Sequence, residues 1–129
     1  MNKSKELRLN TLHVRVCVCV LCRAADEYIV RHFDKLIRGS GGGGAVSVLR
    51  VYDPDRRTST VNDNVKRYCL TTADGNSFVS PTRRDIVHHK IIVTTLVTSL
   101  MLSKLTVRGL FTHILIDEAA QVCFTVCCV

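Results

Sequence analysis

Near its C-terminus the chain carries two adjacent carboxylates, Asp117 and Glu118, directly after the aliphatic run Ile114-Leu115-Ile116, with the amide side chain of Gln121 close behind. Side chains of these types have a use in phosphate chemistry. A hard carboxylate oxygen at the end of an apolar strand can hold a hydrated Mg²⁺ that bridges two phosphates. A neighbouring carboxylate can then orient or deprotonate the water that attacks the terminal phosphorus. An open parallel sheet offers the right place for this, because ligands settle outside the carboxyl ends of its strands. The same pair has a second reading, since Asp and Glu satisfy free N–H groups at the start of a helix and suit the positive end of its dipole. Taken alone, the pair does not choose between them.

Seven cysteines are the other chemically active set. They form two end clusters, Cys17, Cys19, Cys22 and Cys123, Cys127, Cys128, with Cys69 between. The odd count, the adjacent Cys127-Cys128 and the strand-like spacing of Cys17 and Cys19 do not resemble a secreted disulfide framework, and no pair of CxxC knuckles with histidines follows. Reduced thiols inside a cell are expected, and with them a cytoplasmic location, the nucleus being the alternative. A thiol-rich metal or redox protein, using the first cluster with members of the second, is a competing reading. Thiols on apolar strands usually serve as buried packing residues.

Several elements must position these residues. Residues 13–21 place valine at every second position from Val14 to Val20, with cysteines replacing the polar partners midway, which predicts a strand buried on both faces. Ala24, Ala25, Tyr28, Ile29, Phe33, Leu36 and Ile37 recur at helical steps, predicting an amphipathic helix of about four turns. The glycine run 39–44, interrupted only by Ser40, ends it. Residues 46–52 read as a second strand, closed by Asp53-Pro54-Asp55. The polar stretch 56–81 has little periodicity and is expected to be a long surface excursion. Residues 83–89 suggest a short helical turn, 90–95 a third strand, 97–104 a helix or loop, and 111–116 a fourth strand. This alternation favours an α/β fold with a parallel sheet covered by helices. At 129 residues the chain fits one domain.

Eighteen Lys and Arg against eleven Asp and Glu leave a net charge of +7, which suits RNA or another polyanion but also a solvated basic face. Lys3, Lys5 and Arg8 precede an apolar run that Arg15 interrupts, which argues against a secretory leader. No stretch approaches the ~20 apolar residues that cross a bilayer, so no membrane partner is expected.

Read together, Phe111-Thr-His-Ile-Leu-Ile-Asp-Glu-Ala-Ala-Gln121 resembles motif II of the superfamily 1 RNA helicases, in the DEAA/Q form of the group related to the nonsense-mediated-decay helicase, the Armitage-like proteins and the helicases with a zinc finger. Three further stretches are similar to that group in the same order. They are Ala24-Ala25-Asp26-Glu27-Tyr28-Ile29, then Leu49-Arg50-Val51-Tyr52, then Pro81-Thr82-Arg83 through Ile92-Val93-Thr94-Thr95-Leu96-Val97-Thr98-Ser99. The resemblance runs from Ala24 to Gln121, roughly three quarters of the chain. It implies a partial RecA-like ATPase domain over residues 13–121, from motif Ia to motif II, with residues 1–12 and 122–129 unassigned. It implies Mg²⁺ and ATP as cofactors, Asp117 as the Mg²⁺ ligand through water, Glu118 and Gln121 as the catalytic pair, and Thr94, Thr95 and Ser99 on the side of a single-stranded RNA bound without regard to sequence.

The sequence also departs from that pattern. A P-loop NTPase needs a glycine-rich loop ending in Gly-Lys-Thr or Gly-Lys-Ser, and no Gly-Lys pair occurs here. Leu21-Cys22-Arg23 stands where the group has a Thr-x-Ser-Asn-Ser type sequence. The phosphate-loop strand is therefore expected to be missing from the sheet, leaving aliphatic edges open to self-association. Inactivity in isolation follows as an expectation, with neither Mg²⁺ nor ATP expected to bind this chain tightly, and a catalytically dead RNA- or protein-binding module is the alternative function.

Overall fold

The computed structural model describes residues 15–19, 22–33, 47–105 and 108–117. Glu118, Gln121 and the second cysteine cluster lie outside these residues, as does the whole glycine run. Four strands form one sheet in the order β2-β3-β1-β4: β1 (Val16–Cys19), β2 (Val48–Arg50), β3 (Ile91–Thr94) and β4 (His113–Ile116). All three pairings are parallel, with Val16 opposite both Ile91 and His113 and Val48 opposite Ile91. This is the α/β sheet that the alternating pattern predicts.

Helices cover both faces. On one face α1 (Cys22–Tyr28), continued by a π-helical turn over Ile29–Phe33, packs Ala25 and Ile29 against Val18, Val48 and Val93. The helix predicted over residues 24–37 is present up to Phe33, with π geometry from Ile29, and Leu36 and Ile37 lie outside the described residues. On the other face Ile86 of α3 (Arg83–His88) and Leu102 of α4 (Leu96–Ser103) pack against Leu49, Val51 and Ile92. The chain leaves β1 over one face and moves back through β3 to β4 over the other. Reversing direction with the face is what a single crossover handedness demands.

One expectation needs correction. The excursion after β2 is not merely a surface loop. It contains a 3-10 turn (Thr58–Thr60), the short helix α2 (Asp63–Lys66) and two antiparallel bridges, Arg57 with Ser77 and Thr71 with Phe78. Val61, Val65 and Phe78 are buried in the same cluster as Val18 and Val93, so the excursion supplies much of one face's cover. A few isolated apolar residues do this work, which is why no helical or strand period announces it.

β1 is central, and its Cys17, Val18 and Cys19 are buried, as expected of a strand enclosed on both faces. β4 stands at the edge of the sheet with all four residues exposed, Ile114 at 55% and Leu115 at 54%. Among the described residues, no helix is long and apolar enough to cross a membrane.

Candidate functional site

Parallel strands bring their carboxyl ends to one edge, so the ends of β1, β3 and β4 lie side by side. Asp117 follows β4 there, exposed, and its backbone N–H donates to the carbonyl of Cys19 at 3.1 Å. That bond extends the β1-β4 ladder by one step and fixes where the carboxylate begins. Thr94 pairs in register with Cys19, which in turn pairs with Ile116. Asp117 is therefore two strand positions from the end of β3, on the order of 10 Å at ~4.8 Å per strand.

The three hydroxyls expected on the RNA side are placed differently from one another. Thr94 is fully buried, and its Oγ1 donates to the carbonyl of Thr95 at 3.3 Å. Ser99 is buried in α4, with its hydroxyl donating to the carbonyl of Leu96 at 2.6 Å. Thr95 is half-buried and caps α4: its Oγ1 accepts from the backbone N–H of Thr98 at 3.2 Å and donates to that residue's hydroxyl at 2.9 Å. The threonines and serine thus build the turn from β3 into α4, which satisfies orphan donors at the helix start.

Behind this edge lies a charged network that the sequence did not disclose. The side chain of Arg50, wholly enclosed, donates from Nε to the carboxylate of Asp26 at 3.0 Å and from Nη1 to the carbonyl of Val51 at 3.0 Å. Its guanidinium lies 4.1 Å from the centre of the Tyr52 ring, and the Tyr52 hydroxyl donates to the same Asp26 oxygen. Burial, followed by the hydrogen bond to Asp26, pushes the Tyr52 phenol far above its ordinary range. Burial likewise pushes the Cys69 thiol up to about 12, partly offset by Arg50. The available signal was Arg50 itself, a charge inside the otherwise apolar Val48-Leu49-Arg50-Val51. A cation there needs a carboxylate partner, and spacing alone could not name Asp26.

A parallel sheet whose exposed acidic residue follows an aliphatic strand suits many nucleotide-binding proteins. Sequence comparison narrows the field. The chain is 40% identical over 109 residues to the "Probable helicase with zinc finger domain" of Danio rerio and 37% identical over 115 residues to the Homo sapiens protein of the same name, matches that take in 83% and 88% of this chain. Over this stretch the chain is similar to the helicases with a zinc finger, and it is a helicase-family segment. The Mus musculus protein named "3'-5' exoribonuclease HELZ2" is a further relative of this helicase segment, 37% identical over 110 residues and 84% of the chain. The chain spans about 6% of the length of the first two relatives and 4% of the third. No protein-family model and no solved structure matches it.

Proposed function

We propose that the carboxyl edge of this sheet is the Mg²⁺-nucleotide and RNA side of a helicase motor, of which this chain carries the motif II half. The observation behind this reading is the position of Asp117, exposed at the end of a parallel strand and held by Cys19, two strands from the β3-α4 turn. The donor set suits the ion. Asp117 offers hard carboxylate oxygens, and among the described residues no group of three or more His, Cys, Asp or Glu forms an all-protein cage. Mg²⁺ ordinarily keeps several waters and takes one or two carboxylates with substrate phosphates. When bound, Mg²⁺-ATP supplies the phosphoanhydride and the Lewis acid that polarises it. Asp117 would hold the ion through water, and in a complete motor Glu118 would orient the attacking water and Gln121 would meet the terminal phosphate, as the resemblance implies.

Single-stranded RNA lies against the turn after β3 through backbone amides and Thr95, a mode that positions phosphates without reading bases. Thr94 and Ser99 act behind it by holding the turn's shape. The net charge of +7 supports a polyanionic partner. With no Gly-Lys loop to grip the phosphates, the chain binds RNA in a salt-dependent way but does not turn ATP over.

Steady-state ATPase and RNA-binding measurements on the chain test both halves. Expected are RNA binding that weakens steeply with salt and no ATP hydrolysis with or without RNA. Hydrolysis that Glu118→Gln abolishes would show that the phosphate grip is present after all. RNA binding insensitive to salt would remove the nucleic-acid half.

A further inference from the structure

The thiols of Cys17 and Cys19 have no role in the reading above. They occupy alternate positions of β1 and so share the face turned toward α4, with their sulfurs 3.7 Å apart. Both residues are buried, 5% and 4% exposed. The hydrogen bond with Cys19, followed by burial, keeps the Cys17 thiol protonated far above its ordinary range. The Ser99 hydroxyl, otherwise given to Leu96, lies within reach of the Cys19 sulfur and can donate to it.

We propose that Cys17 and Cys19 are a redox-responsive dithiol, converted by a hydroperoxide into an intrastrand disulfide that bends β1 beside the Asp117 edge. The Cys19 thiolate attacks the peroxide, its S–O bond forms as the O–O bond breaks, and hydroxide leaves to take up a proton as water. The Cys17 sulfur then attacks the Cys19 sulfenic acid, forming S–S and breaking S–O. The displaced hydroxide takes the Cys17 proton as a second water. Two thiols and one hydrogen peroxide thus give one disulfide and two waters, with the two electrons lost by sulfur accepted by the peroxide.

Backbone geometry makes this bond consequential. Two residues of a strand advance about 6.6 Å, near the ~6.8 Å upper limit for the Cα atoms of a disulfide. Parallel side chains on a flat strand also start farther apart than the ~3.5–4.5 Å between bridged Cβ atoms. The sulfurs can meet only if β1 bends. Cys19 pairs with Thr94 on one side and Ile116 on the other, and its carbonyl holds the N–H of Asp117, so the bend reaches both neighbouring strand ends. Strained disulfides of this kind are the readily reduced ones. The inference stands independently of nucleotide or RNA binding.

The test is graded hydrogen peroxide on the full chain, followed by alkylation of free thiols, mass spectrometry of the tryptic peptide 16–23, and amide exchange. That peptide also contains Cys22, so the Cys22→Ser variant is run beside the wild type. Expected is a disulfide in Cys22→Ser that thiol reductant reverses, that forms before Cys69 reacts, and that is absent in Cys17→Ser. Exchange at Asp117, whose N–H is held by Cys19, should rise by on the order of tenfold on oxidation, and peroxide should not change it in Cys19→Ser. A disulfide that persists in Cys17→Ser and vanishes in Cys22→Ser would overturn the assignment. So would over-oxidation without a disulfide, or a disulfide that leaves exchange at Asp117 unchanged.

Discussion

Burying Arg50 commits the fold to neutralising a charge that the side chain cannot shed, because guanidinium stays protonated at any pH where proteins fold. Asp26 on α1 supplies the neutralising carboxylate, while Tyr52 lies against the guanidinium and shares the same Asp26 oxygen. A buried pair is weak evidence for net stability, yet removing one partner is costly since it strands the other. Asp26→Ala should therefore destabilise the chain by about 3 kcal/mol, read as a lower urea midpoint. Arg50→Met combined with Asp26→Leu should recover most of that loss. An Asp26→Ala variant as stable as wild type would mean that water already serves Arg50. Residues of this kind divide sharply in how far the sequence discloses them. Asp117 is legible because its meaning sits in a contiguous string. Arg50 and Asp26 each fall in a stretch similar to the helicase group, but a contact 24 residues apart leaves no local trace.

Among the elements, α3 shows how local chemistry fixes a boundary. Thr82 caps it, its Oγ1 accepting from the N–H of Asp85 at 3.3 Å while the Asp85 carboxylate accepts from the backbone N–H of Thr82 at 2.7 Å. The Thr82 hydroxyl, which also donates to that carboxylate at 2.6 Å, and then the Thr82 backbone N–H hold the Asp85 carboxyl below the usual carboxylate range. A depressed folded-state value stabilises the fold above the unfolded pKa of about 4, and that contribution is lost as pH falls through the folded value. Thr82→Ala should cost about 1 kcal/mol at neutral pH and flatten the acid side of the stability profile. Thermal melts between pH 7 and pH 3 would show it, and a profile parallel to wild type would contradict it. The short helical turn itself was legible over residues 83–89. The excursion was not, because Val61, Val65 and Phe78 reach the core from turns whose spacing follows no period. The π turn over Ile29–Phe33 was not legible for a related reason, since it shifts the apolar face away from the 3.6-residue repeat.

On the scale of the whole molecule, the parallel sheet and its strand order position one edge for chemistry and leave another open. β4 carries its aliphatic residues exposed at the sheet's edge, where natural proteins usually place charge, proline or cover. Self-association through this strand is the expected consequence, and Leu115→Lys should shift the chain toward monomer in gel filtration. A wild-type chain that is already monomeric and monodisperse would contradict it. The sheet was legible from alternation in residues 13–21 and from apolar runs bounded by turns. The order β2-β3-β1-β4 was not, since strand neighbours are set by which helices cover which face. That order is what puts Asp117 beside Cys19 and within two strands of Thr94. The most direct test of the chemistry assigned to that edge is paramagnetic broadening of the protein's amide resonances by Mn²⁺-ATP, which replaces Mg²⁺-ATP at millimolar concentration. Broadening centred on Asp117, extending to Cys19 and Thr95 and lost in Asp117→Asn, is the expected result. Broadening centred on the exposed Asp63 or Asp74 of the excursion, or unchanged by Asp117→Asn, would contradict the account.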